Sequence, residues 1–184
     1  MLPVAIIGRA DQFLSSPVIR IGGKDVWAFN AGAMHYPITA SFQMHQYPYV
    51  RDEGNHIAEY HAWLRNLKTP VYMRDPRDEF PTAVLYPFEE IYAMVAHIRQ
   101  GLTKLTNIKY FTSTVAYAIA LAVLQGRPRI DVYNIELTGK TEYEKQRECY
   151  LFWIGFAAGK GIALDIYCGD GIFKKPLYGE QWEN

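Results

Sequence analysis

Cysteine is scarce in this sequence, and it never occurs in pairs. Cys149 and Cys168 are the two cysteines, and neither belongs to a C-x-x-C pair. A metal knuckle is therefore unsupported, and a reduced, intracellular protein is the simplest reading. Long apolar runs are also missing. None approaches the roughly 20 residues that a membrane span needs. Val4-Ala-Ile-Ile7 is too short for the core of a signal peptide, and no basic segment precedes it. An excess of either charge is absent too, with 19 basic and 19 acidic residues. A general nucleic-acid binder carries a basic footprint for the phosphate backbone, so that class is excluded. There is no low-complexity tract, internal repeat or linker. The expectation is a cytoplasmic protein with no membrane partner.

What the chain does have is enough apolar material for a full core. Its 184 residues are 49% hydrophobic, and a chain of this size buries roughly 70% of its unfolded surface. One domain over 1–168 with a tail over 169–184 is the expected organisation. The 14 tyrosines and 4 tryptophans suit stacking surfaces, well-filled core edges or a subunit interface. Self-association into a homo-oligomer stays open on that ground.

Strands and helices alternate along the chain. Val4–Ile7, stopped by Gly8, suits a buried parallel strand. Arg9 to Gly23 reads as a loop with a short helix. Asp25–Asn30 and Ser41–His45 read as the second and third strands. Ile57, Tyr60, Leu64 and Leu67 recur at helical spacing, and Thr69-Pro70 stops that helix. Val71–Met73 is a strand, followed by the charged loop Arg74–Glu79. Pro87 suits the first position of a helix through Ile91, Val95 and Ile98. Thr141-Glu-Tyr-Glu144 forms a capping box for a helix from about Glu142 to Lys160, and Ala163–Cys168 is the last strand. The pattern predicts a single-domain α/β protein of Rossmann-like type, with a mostly parallel sheet and helices on both faces.

The most informative unit lies between residues 109 and 136. Lys109-Tyr-Phe reads as a strand end, Thr112-Ser-Thr114 as a hydroxyl-rich turn and the following apolar run as a helix closed by Gly126. Ile130–Ile135 then forms a strand ending on Glu136. Ligands of open α/β sheets bind where strands end and helices begin. Thr112, Ser113, Thr114 and Glu136 are thus expected to face one crevice. Free amides at a helix start, with hydroxyls beside them, make an anion site. Each hydroxyl taken singly also serves as an ordinary cap. A carboxylate at Glu136 suits sugar hydroxyls or the role of a base.

Other positions join this set. Gly8 ends the first strand, where such folds meet phosphate, although Gly8-Arg-Ala-Asp-Gln12 is not G-x-G-x-x-G. Arg9 reads equally as a phosphate contact and as a solvated turn residue. Asn30 suits either a base or sugar edge or a left-handed turn. His45 is a candidate acid/base group at neutral pH. Gln146 and Arg147 lie one turn past the capping box, and Arg147 can hold an anion in bidentate fashion. On the same helix Phe152, Trp153 and Phe156 read as core or interface. His56 and His61 do not share a helix face, so no metal site is proposed. Asp11, Asp131, Glu136 and Asp170 are carboxylates that can hold magnesium beside a diphosphate, though no spacing requires it.

The stretches Tyr110–Ala122, Ile130–Leu137 and Glu142–Ile162 resemble uncharacterised Rossmann-like proteins of bacteriophages. These are distant relatives of the 6-hydroxymethylpterin diphosphokinase family and of sialyltransferase-like glycosyltransferases. The resemblance covers about the last 75 residues well. The front half matches in outline, through the glycine-ended first strand, Trp27-Ala-Phe-Asn30 and Phe42-x-x-His45. It implies a nucleotide-linked donor in the crevice, lined by Ser113 and Glu136. Where relatives show a glycine-proline-serine turn, this chain has Arg9-Ala-Asp-Gln12. Where they carry glycine and aspartate in the later strand, it has Asn134 and Glu136. The resulting expectation is a nucleotide or nucleotide-sugar ligand with glycosyl or phosphoryl transfer. The alternatives are a non-enzymatic nucleotide binder and a structural protein with a degenerate site.

Overall fold

The computed structural model describes residues 1–8, 20–45, 57–96, 99–100, 106–107, 111–135, 137 and 141–167. Seven strands form one all-parallel sheet: β1 (Val4–Ile7), β2 (Asp25–Phe29), β3 (Ala40–Gln43), β4 (Val71–Met73), β5 (Ala83–Leu85), β8 (Arg129–Tyr133) and β9 (Ala163–Tyr167). Their order is β5-β4-β3-β2-β1-β8-β9. The helices are α1 (Ile57–Asn66), α2 (Phe88–Met94), α3 (Thr114–Leu124) and α4 (Thr141–Gly159), with a 3₁₀ helix over Asn30–His35. A separate antiparallel ribbon pairs β6 (Arg99–Gln100) with β7 (Thr106–Asn107). The α/β, Rossmann-like class expected from the alternating pattern is the class observed.

β1 is a run of four apolar residues at 0–1% exposure, between β2 and β8. A strand covered on both faces needs no polar alternation, and helices cover both faces here. One core joins the even-numbered side of β1 (Val4, Ile6) to α2, α3 and α4. Ala5 and Ile7 point the other way, onto the 3₁₀ helix and Trp63 of α1. α3 is apolar all round, which suits a helix held between the sheet and α4. It ends in a Schellman turn. Gly126 sits at φ 65°, its N–H donates to the Val123 carbonyl (3.0 Å), and the Arg127 N–H donates to that of Ala122 (3.0 Å). Arg127 then fastens this turn to the amino ends of β1 and β2. It donates to the Leu2 carbonyl (3.0 Å), pairs with Asp25 and lies over the Trp27 ring.

Four expectations are corrected. The helix after Pro87 ends at Met94, not Ile98, and Arg99–Gln100 is extended. β5 follows β4 with no helix between them, so the alternation is broken there. Phe111, expected to end a strand, lies in none, and the rest of that expected strand end, residues 109–110, lies outside the described residues. β8 stops at Tyr133 because Asn134 turns left-handed at φ 54°, which leaves Glu136 three residues beyond the strand. No described helix is long and apolar enough to cross a membrane.

Candidate functional site

Strand order reverses between β1 and β8. Successive strands step outward from β1 to β5 on one side, and the chain then returns to place β8 and β9 on the other. The crevice at such a switch point, past the carboxyl ends of the strands, is where this architecture binds ligands. Parallel strands put every carboxyl end on one edge. Gly8 follows β1, Asn30 follows β2, and Asn134 follows β8. α1, α3 and α4 each lead into the amino end of the next strand, so their first turns stand at the same edge.

The register brings Gly8 between the two asparagines. Ile7 is the partner of Ala28 on β2 and of Tyr133 on β8. The Gly8 N–H donates to the Tyr133 carbonyl at 2.8 Å. A β-carbon on Gly8 would run into the carbonyl of Asn134 and the side chain of Ile135, so only glycine fits. Asn30 (φ 49°) and Asn134 (φ 54°) are the non-glycine residues with positive φ among those described. Asparagine tolerates that conformation better than most residues. Asn134 is buried (5% exposed), yet its Nδ2 has no hydrogen-bond partner among the described residues, and neither does the buried Oδ1 of Asn30. Tyr36, at the end of the 3₁₀ helix, approaches Asn134. Burial pushes its phenol up and the Asn134 amide opposes that. The geometry nevertheless falls short of a hydrogen bond, since both groups lack a partner. Buried polar atoms without partners are costly, and the two asparagines that carry such atoms follow the strands on either side of β1.

Ser113 is the N-cap residue of α3, but its side chain makes no capping bond, and its Oγ is buried without a partner among the described residues. Thr114 opens the helix and is half-buried. Thr112 is used differently. Its hydroxyl donates to the Lys145 carbonyl (2.9 Å) and its N–H reaches the Cys149 sulfur (3.4 Å), which ties the start of α3 to α4. Burial pushes the Cys149 thiol up, against the opposing amides of Thr112 and Ser113. Gln146 and Arg147 are half-buried in the first turns of α4.

His45 stands just past β3 and lines a pocket with His61, away from the switch point. Asp131 is corrected as a magnesium candidate. It is fully buried in mid-strand and is paired with Lys24 and Arg129. Arg9, Asp11, Glu136, Cys168, Asp170 and the tail lie outside the described residues. Asn134 falls at a position where the resemblance already implied a ligand, while Tyr36 was not among the residues expected to line the site, and the sequence offers no signal for it.

No protein-family model matches the sequence, and neither does any curated protein. Solved structures do match in fold. The sialyltransferase CstII from Campylobacter jejuni, in complex with the substrate analogue cytidine-5′-monophosphate, superposes with a TM-score of 0.51 at 15% identity. The match covers 92% of this chain and 81% of that one. The same enzyme in complex with CMP-3FNeuAc gives a TM-score of 0.51 at 15% identity, over 91% and 80%. The chain therefore shares the overall α/β fold of these structures.

Proposed function

We propose that this chain binds a nucleotide-sugar across the carboxyl ends of β1, β2 and β8 and transfers its glycosyl group. The observation that carries the reading is the pair of left-handed asparagines, Asn30 and Asn134, whose buried amide atoms lack partners on either side of Gly8. An amide offers both a donor and an acceptor, which suits the edge of a base or a ribose. The fold likeness to an enzyme seen with a cytidine nucleotide supports the same ligand class.

In this reading Gly8 lets the ligand approach the backbone. Ser113, Thr114 and the free amides at the start of α3 receive phosphate, together with Arg9. Gln146 and Arg147 close the α4 side of the crevice, and Thr112 holds α3 and α4 in register. Transfer forms a bond from an acceptor hydroxyl oxygen to the anomeric carbon and breaks the bond from that carbon to the phosphate oxygen. The nucleotide leaves with the electron pair, and the hydroxyl proton passes to a base, Glu136 or His45. His45 is two strands from β1 in the sheet order, about 10 Å away, within the span of a nucleotide-sugar.

Native mass spectrometry of the purified protein, followed by incubation with CMP-linked sugars, tests this. A retained or added cytidine nucleotide, with CMP released in the presence of an acceptor, supports the proposal. Binding without CMP release removes the transfer half and leaves a nucleotide-binding protein. No binding of any nucleotide overturns the whole reading.

A further inference from the structure

At the end of β9 the carboxyl edge of the sheet offers an open aromatic ring. Tyr143 and Tyr167 are the exposed tyrosines among the described residues, and Tyr167 is the one stacked on another ring. It lies parallel to Tyr133, with centroids 4.7 Å apart and 1° between the planes. Strand alternation sets this up. Arg129, Asp131 and Tyr133 of β8 share one face with Asp165 and Tyr167 of β9, and the register pairs Tyr133 with Tyr167. The backing ring is fixed. Tyr133 is 1% exposed, packs in one cluster with Ala5 and Ile7, and donates its hydroxyl to the Arg20 carbonyl at 3.4 Å. The Tyr167 hydroxyl in turn donates to Asp165 Oδ2 at 3.4 Å. Tyr133 covers one face of the Tyr167 ring. β9 is the edge strand of the described sheet, so the other face looks outward, and 39% of the residue is exposed.

This ring belongs to the same edge as the switch point. Ile7, Tyr133 and Tyr167 form one row across β1, β8 and β9, which puts Tyr167 about 10 Å from the strand that ends beside Gly8. The Asn134 N–H donates to the Tyr167 carbonyl at 3.3 Å. The turn that carries the unpartnered Asn134 amide is thus fastened to the residue that carries the ring. Every nucleobase has a π-face, so an exposed, pre-oriented aromatic ring beside a crevice suits any of them. We infer that Tyr167 is the stacking platform for the nucleobase, and so the residue that makes the crevice prefer a nucleotide to a sugar phosphate. The inference rests on the nucleotide reading of the crevice. It places the base at β9, the ribose by Gly8 and Asn134, and the phosphate at the start of α3, in the order in which a nucleotide joins them.

The test is calorimetric titration of CMP, and of ribose 5-phosphate as a ligand without a base, into the full chain and its Tyr167 variants. The wild type is expected to bind CMP more tightly than ribose 5-phosphate. Tyr167→Ala lowers CMP affinity about tenfold, the loss of one stacked base, and leaves ribose 5-phosphate affinity unchanged. Tyr167→Phe keeps the ring and binds both ligands as the wild type does. Tyr167→Leu keeps apolar cover over Tyr133 and replaces Tyr167→Ala should that variant fail to fold, with the same expected loss. By NMR, the cytosine H5 and H6 signals of bound CMP move upfield in the ring current of Tyr167, and the shift disappears in Tyr167→Leu. Equal CMP affinity in the wild type and Tyr167→Ala, or no preference of the wild type for CMP, overturns the inference and leaves the crevice reading in place. An equal loss of affinity for both ligands also overturns it, because it marks a structural role. A wild type that binds neither ligand overturns the crevice reading, and the inference with it.

Discussion

Gly8 and Asn134 are in direct backbone contact at the switch point. The turn after β8 crosses so close to Gly8 that the Asn134 carbonyl occupies the place of a β-carbon. This contact holds Asn134 in its left-handed conformation with its amide buried and unpartnered. Gly8→Ala must push that turn outward, since the obstacle is backbone. Overpacking of this kind costs about 1–3 kcal/mol. The expected result is a lower melting temperature together with weaker nucleotide binding. Unchanged thermal stability would show that the turn yields freely.

Ser113 separates the structural role of a hydroxyl from a ligand role. Replacing an N-cap serine by alanine ordinarily costs about 1 kcal/mol. Here the side chain makes no capping bond and its oxygen is buried without a partner. Ser113→Ala should therefore leave the denaturant midpoint unchanged or slightly raised, while nucleotide affinity falls. A loss of stability near the ordinary capping value would return Ser113 to a structural role.

Asp131 is the buried charge of the opposite face, held by Lys24 and Arg129. Asp131→Ala strands the Lys24 ammonium at 16% exposure and is expected to cost about 3 kcal/mol. A Lys24→Met, Asp131→Leu double variant should recover most of that, because a buried ion pair is replaced by apolar groups. Chemical denaturation of the three proteins checks the cycle.

Alkaline unfolding follows from Tyr86. Burial pushes its phenol well above the usual value of 10.0, and the neighbouring tyrosines add to the rise. Its hydroxyl donates to the Tyr117 carbonyl at 2.8 Å. The unfolded chain ionises this tyrosine first, so the folded state binds more protons above pH 10 and stability falls as pH rises from there. Melting temperatures taken across that range should drop less steeply in Tyr86→Phe. At neutral pH the same variant loses about 1 kcal/mol for the missing hydrogen bond.

The sequence made the parallel sheet and most of its strands readable, because doubly covered strands such as Val4–Ile7 and Val71–Met73 are short apolar runs between breakers. β5 escaped notice because it is three residues long, at the sheet's edge, with Val84 and Leu85 exposed. Such a strand is set by pairing with β4, not by its own pattern. Asn30 suits a left-handed turn and takes that conformation (φ 49°), but the 3₁₀ helix it opens, packed through the buried Ala31 and Ala33, is too short to leave a period in the sequence. In the site, Gly8, Asn30 and Ser113 were legible as the residues that follow strands or open a helix. That His45 and His61 line one pocket was not, because one stands just past β3 and the other on α1, and only the fold brings them together; His56 lies outside the described residues.

The central claim rests on the Asn134 amide facing a nucleotide. Asn134→Gly tests it most directly, because glycine keeps the left-handed backbone and removes the side chain alone. Calorimetric titration of CMP into the wild type and this variant is the measurement. The account predicts binding by the wild type and at least a tenfold weaker Kd for the variant, with the fold intact by circular dichroism. Equal affinity in the two proteins, or no binding by either, would contradict it.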